Sequence, residues 1–337
     1  MGAYIVKDLV LALDRITGGR VVTEAGGICG KNRFVVTKSS GIPGKAVTEL
    51  PGLVCGDMGK EIGKVAVLMT MTESAIELAG AMGVDAMVAH HPLADAASCG
   101  GVLLKTYLGL YGIAGLELHE AFHGLHPGIA YLHGHSPTLV DVSYGGIPGN
   151  ILNVGDALPE VKTLGDMLAR IESFMGTDLD EALLESERGI RACPGLQETN
   201  LLARGVILLG KPESPVRKIA HIFPHTGFTP EHLEKVVRDH PGVDTVLATI
   251  SRVRAGHSLV EKARELGLNF ICGNSHALEI LENGLPLAMA IQALLPGLEV
   301  HVFRERMTSA PLESFGTPAI RDYARLMSEK HLAKAGK

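Results

Sequence analysis

The chain has 337 residues, 46% of them apolar, with a formal net charge of −6. That length allows two ordinary domains around a large interior. The acidic balance, the lack of any Lys/Arg block and an aromatic content of only 4% exclude a basic nucleic-acid footprint with stacking platforms.

The mean hydropathy is +0.22, yet no stretch reaches the roughly 18 unbroken apolar residues of a membrane helix. The surplus apolar surface is therefore expected between subunits of an oligomer. Five scattered cysteines (Cys29, Cys55, Cys99, Cys193, Cys272), without a CxxC pair, read as free thiols in a reducing cytoplasm.

Val6 to Ile16 predicts an amphipathic helix, with Leu9, Val10, Leu13 and Ile16 on one stripe. Lys7, Asp8, Asp14 and Arg15 interrupt it, unlike a signal peptide. Val6 stands where a myristoylation motif beginning at Gly2 needs Ser or Thr. From Gly18 to Gly63 the chain reads as strands and turns. Gly30-Lys31 fails as a phosphate loop, because Ala25 replaces the required glycine and Asn32 the Ser or Thr.

Val65 to Met69 is a predicted strand, and Thr72 to Met82 a helix capped by Thr72. Gly83 to Ala89 leads into a second strand, ended by Pro92. A helix near Val102 to Tyr111 and a strand from Ile113 to Leu118 follow, and the alternation predicts parallel pairing with right-handed crossovers.

The Gly/Pro-rich passage between about Pro137 and Asp166 marks a domain boundary. Beyond it come a helix (Leu164 to Met175), an acidic stretch (Asp178 to Glu187), and strands at Leu201 to Leu209 and Lys218 to Phe223. A second α/β series has a helix at Pro230 to Asp239, a strand at Thr245 to Ile250, a helix at His257 to Leu266 and a strand at Leu268 to Cys272. The tail offers a helix at Pro286 to Leu295, a strand at Glu299 to Phe303, and a helix after Pro318 that ends in a basic run.

Histidine carries the chemical signal. Seven of fifteen histidines fall between His90 and His135. His90-His91 stand at the carboxyl end of a predicted strand, where α/β proteins gather ligands, and neutral imidazole is the commonest metal-binding side chain. His119-Glu120-Ala121-Phe122-His123 is a literal HExxH, in which Glu120 could activate a zinc-bound water. The glycines and proline around it leave about two helical turns at best, against the longer helix of a peptidase. Downstream, a predicted strand meets Gly273, and a helix is expected from near Ser275, with His276 and Glu279 on one face.

Gly83-Val84-Asp85 leading into His90-His91-Pro92-Leu93, then His119 to His123, Gly256-His257 and Gly273 to Glu279, together resemble the Nif-three-like family, also known as GTP cyclohydrolase 1 type 2 homologues. The similarity covers residues 63–135 and 215–303. It implies a ring-shaped homohexamer and a dinuclear metal centre held by His90, His91, His123, His276 and Glu279, with Glu282 as the fallback carboxylate. His123 stands where the family has an Asp, so a single ion or an altered metal preference becomes an expectation.

The fold expected is α/β. A discontinuous metal-binding domain (1–140 with 265–337) would carry an inserted α/β domain (141–264), with the metal site between them. The function expected is that of a metal-dependent hydrolase of a small, nucleotide-like substrate, located in the cytoplasm. It would use one or two zinc or iron ions, with His119 or Glu120 as proton carrier. A non-catalytic metal-binding regulator or scaffold and an HExxH zinc peptidase are the alternative readings.

Overall fold

A computed structural model describes residues 4–23, 32, 34–39, 43–44, 46–93, 98–99, 102–119, 121–140 and 152–333. The architecture is mixed α/β. Two compact units are present, Met1–Met175 with Gly205–Glu305, and Gly176–Arg204 with Arg306–Lys337.

The larger unit contains two sheets. The first is five-stranded, in the order Glu299–Val302, Lys64–Leu68, Ala86–Ala89, Ala114–Glu117, Gly52–Cys55. Its first four strands are parallel and the last is antiparallel. Ala86–Ala89 is buried at every position, as expected for a central strand covered on both faces. The helix Val6–Thr17 lays Val6, Leu9, Val10 and Leu13 into the core on one face of this sheet. Ile76, Leu104 and Leu108 pack in a second cluster with Met87 and Ala89.

The second sheet is six-stranded, in the order His135–Val140, Leu152–Ala157, Lys218–Ile222, Thr245–Ile250, Asn269–Ser275, Val206–Leu209. Its three middle strands are the α/β series read from the sequence, paired in parallel from Lys218–Ile222 to Asn269–Ser275. The whole sheet is inserted in the chain between the strands Ala114–Glu117 and Glu299–Val302 of the first sheet.

The second sheet begins with His135–Val140 and includes Asn269–Ser275, so it extends on both sides of residues 141–264. Asn269–Ser275 pairs with Thr245–Ile250, because a short crossover helix, Ser258–Glu265, returns it to its sequence neighbour. The strand expected at Leu201 to Leu209 begins only at Val206, because Thr199–Leu202 closes a helical turn that Glu198 caps. The acidic stretch is a helix, Thr177–Ile190. In the smaller unit this helix accompanies a short antiparallel pairing of Gln197–Glu198 with Thr308–Ser309. Leu184, Cys193 and Leu196 form its core, and Arg306 Nη1 donates to Glu187 Oε2 at 2.9 Å.

Gly273, inside the last parallel strand, has no room for a side chain. A methyl there would meet Nε2 of His133 and lie 2.5 Å from its Cδ2 and 2.9 Å from Thr249 Cγ2. Gly273→Ala is expected to lower stability by about 1–3 kcal/mol through overpacking, and a urea midpoint equal to wild type would contradict this.

Candidate metal centre

Parallel strands present their carboxyl ends on one edge, and here both sheets turn that edge toward the same place. From the first sheet come His90-His91 after Ala86–Ala89, His119 just past Ala114–Glu117, and Thr70 just past Lys64–Leu68. From the second come His276 after Asn269–Ser275, Ser251 after Thr245–Ile250, and His225 just past Lys218–Ile222.

The imidazoles form a connected cluster. Ring centroids lie 5.6 Å apart for His90–His91, 5.1 Å for His90–His119, 5.3 Å for His90–His123, 4.4 Å for His119–His123 and 5.4 Å for His91–His276. Two sets of donors are close enough to hold an ion: His90, His119 and His123, and His91, His276 and Glu279, each with ligand atoms within 4.8 Å of one another.

Glu279 lies between these sets. Its Oε1 is 3.4 Å from His90 Nε2 and its Oε2 is 3.4 Å from His91 Nε2. Asn283 Nδ2 donates to Oε1 at 3.0 Å, fixing the carboxylate in its 2% exposed position. Residues Ile280–Gly284 form a single π-turn at the start of helix Leu285–Leu294, and such turns recur at functional sites. Glu279 rather than Glu282 therefore reaches the histidines.

The far nitrogens are held in a consistent way. His90 Nδ1–H donates to the Leu118 carbonyl at 3.0 Å, and His91 Nδ1 pairs with Thr70 Oγ1 at 2.7 Å. His119 Nδ1 is 3.1 Å from Oε2 of the buried Glu49. Anchoring one nitrogen leaves the other available to a metal and fixes the tautomer. Arg20 Nη1 donates to the carbonyls of Ala121 and His123, both at 3.3 Å, and so anchors the turn that carries His123.

The electrostatics favour the metal-binding forms. Burial holds the His90 imidazolium down, and His276 is pushed down to about 4, mainly by burial although its outer face is open. Burial alone would raise Glu279, but the His90 and His91 imidazoles beside it hold its carboxyl well below the usual range. Neutral imidazoles around an anionic carboxylate are the donor set a borderline divalent ion requires. His90 Nε2 and Glu279 Oε2 are buried without a hydrogen-bond partner, as expected of atoms reserved for an ion.

The five residues expected as ligands are thus brought together, and His119, expected as a proton carrier, stands among them. Glu120 lies outside the described residues. His119 and residues 121–124 form turns, where a zinc peptidase needs a long helix.

The sequence reading missed Glu49 and His225. Glu49 closes the strand Ala46–Glu49 and carries no motif. His225 did have a signal: Ile222-Phe223-Pro224-His225 sets a proline and a histidine at a strand's carboxyl end, as residues 88–92 do in the opposite order.

A second, fully buried polar layer adjoins the site. His133 Nδ1–H donates to the Ile129 carbonyl at 2.7 Å, while its Nε2 accepts from Asn274 N–H at 3.1 Å. These two bonds fix it neutral, and burial pushes it down to about 4. His135 Nε2 meets His221 Nδ1 at 3.0 Å, and His221 Nε2 meets Thr249 Oγ1 at 2.6 Å. Glu282 accepts from Asn274 Nδ2 at 2.8 Å, and burial pushes its carboxyl up to about 8.

Among the described residues no helix is long and apolar enough to cross a membrane. No curated protein matches the sequence. Solved structures share the fold. TTHA1606 from Thermus thermophilus is 16% identical, with a TM-score of 0.53 over 90% of this chain and 98% of that one. A Bacillus cereus protein related to NIF3 is 12% identical, with a TM-score of 0.51 over 90% and 98%. Reduced HcgD from Methanocaldococcus jannaschii is 18% identical, with a TM-score of 0.50 over 75% and 88%. Residues 45–95, which run from the strand bearing Glu49 through His90 and His91, match the model of the Duf34/NIF3 (NGG1p interacting factor 3) family. Over that segment the chain is similar to the NIF3 family.

Proposed function

We propose that this chain is a metal-dependent hydrolase of a small, nucleotide-like substrate, holding two divalent ions with Glu279 between them. One ion takes His90, His119 and His123, the other His91 and His276. The observation that carries this reading is the buried Glu279, with one oxygen facing a histidine of each set at 3.4 Å. With His123 in place of the family's Asp, Glu279 would supply the carboxylate shared by the two ions. The imidazole-rich donors favour zinc or iron over magnesium. When bound, such ions supply Lewis acidity and make water acidic enough to attack near neutral pH.

The protein's own groups do the rest. Glu49 and Thr70 orient His119 and His91, and Asn283 keeps Glu279 from turning away. Proton transfer is assigned to Glu120, since His119 joins the ion-binding set. The nucleotide-like substrate follows from the family resemblance, as do assembly into a homohexamer and a cytoplasmic location.

Elemental analysis of protein purified without chelator, followed by a nucleotide screen with phosphate-release and ring-opening readouts, tests the proposal. Zinc or iron bound near two equivalents, with turnover lost on chelation and restored by metal, is expected. Trace metal only would overturn the metal reading, and full metal with no turnover across the screen would overturn the hydrolase reading.

A further inference from the structure

His225 belongs to none of the roles assigned so far, yet the fold invests in placing it. It sits in the turn Pro224–Thr226, with its ring centroid 5.4 Å from that of His276, the same separation as His91 from His276. Its Nδ1 pairs with Ser251 Oγ at 2.8 Å, and its backbone N–H donates to the same oxygen at 2.9 Å. That repeats the arrangement at His90 and His91, where Nδ1 is tied to an oxygen and Nε2 is left for the site.

The support beneath it is strained. Ile250, immediately before Ser251, has φ +65°, in the left-handed region that a β-branched residue rarely enters. A register shift between Ala248 and Ile250 sets Ile250 opposite Ser275, the residue before His276. Bulges of this kind re-aim side chains beside active sites, and strain persists only where the surroundings over-determine it. Ser251 N–H closes the turn on the Thr249 carbonyl at 2.7 Å. One irregularity thus sets both His276 and the serine that holds His225.

We propose that His225 is a further ligand of the ion held by His91, His276 and Glu279, and that Ser251 is its positioning residue. The inference rests on the two-ion reading above. With three imidazoles and one carboxylate, the outer site takes a borderline ion, zinc or cobalt(II), in preference to magnesium. Three successive parallel strands of the second sheet thus serve this ion, two through the ligands His225 and His276 and the one between them through Ser251, which holds His225.

The full-length protein, stripped with chelator, is titrated with cobalt(II) while its visible ligand-field bands are followed, and then with zinc in competition. In His225→Ala one ion is expected to bind at least about tenfold more weakly, with altered cobalt bands, a loss no smaller than removal of an orienting partner produces. The other ion should keep its wild-type affinity. Ser251→Ala should weaken the same ion by a smaller factor. His225→Cys is the variant that reports position directly, since a thiolate reaching the ion adds a sulfur-to-cobalt charge-transfer band in the near ultraviolet. Wild-type affinities and cobalt bands in His225→Ala, together with no charge-transfer band in His225→Cys, would overturn this inference and leave the two-ion reading standing. A wild-type protein that takes up no cobalt or zinc would overturn both.

Discussion

Glu279→Gln is expected to empty both ion-binding sets, where loss of a single histidine weakens one. The carboxylate turns an oxygen toward each set, and its negative charge would offset the two divalent ions proposed. Two such charges at close range repel strongly wherever the effective dielectric falls below that of water. A glutamine keeps the shape and can still bond to Asn283, but it offers one neutral oxygen. Affinity for the first ion is therefore expected to fall by about 100-fold or more, which is roughly 3 kcal/mol, and the second ion should be lost.

The apo protein responds too. Without metal, the His90 and His91 imidazoles hold the Glu279 carboxyl well below the usual range, so the native state favours its anion and replacement by Gln should lower apo stability as well. Ligand-linked stabilisation of the wild type should vanish on chelation, whereas Glu279→Gln should melt at one temperature with or without chelator. Elemental analysis and paired melting curves check this. Wild-type metal content in Glu279→Gln would show that the carboxylate only supports the histidines.

Much of this site was legible because its strongest parts are local. The strand into His90-His91 and the stop at Pro92 lie within a few residues, and the structure keeps them as read. The choice between Glu279 and Glu282 was not legible. Three and six residues after His276 share no fixed direction once a 3-10 turn and a π-turn replace regular helix, and Glu282 meets Asn274 instead. Glu49 was invisible for another reason. It reaches His119 across 70 positions of sequence through pairing of the strands that neighbour them, and no local period encodes such a contact.

The sheet that accepts each strand is equally non-local. Hydrophobic runs place a strand at 268–272, but which sheet accepts it depends on the crossover before it. The apolar Leu201-Leu202 pair was read as strand because a buried strand and one helical turn cannot be told apart by apolar content alone.

Stability should peak near pH 6.5 and fall on both sides, with different residues responsible for each limb. On the acid side burial holds His133 down to about 4, His135 down to about 3 and His221 well below its ordinary value. An unfolded chain takes up protons at these positions below about 6.5, while the native protein refuses them. Stability from these groups is therefore complete above 6.5 and is lost as pH falls toward their native values. Three such groups give a slope of up to roughly 4 kcal/mol per pH unit.

Glu282 acts in the opposite sense. Its native carboxyl keeps its proton up to about 8, whereas an unfolded glutamate gives it up near 4.5. The native state therefore binds the extra proton across that interval, and stability declines as pH rises through it, levelling off above 8. Below 6.5 the three histidines outweigh this single term. Between 6.5 and 8 it acts unopposed by them, and the decline should be visible. Glu282→Gln keeps an acceptor for Asn274 but has no proton to lose, so its urea midpoint should stay level across that interval, while its acid limb remains that of wild type. A wild-type midpoint that does not fall between pH 6.5 and 8, or a Glu282→Gln profile with the same fall, would show that Glu282 is not the buried acid described above.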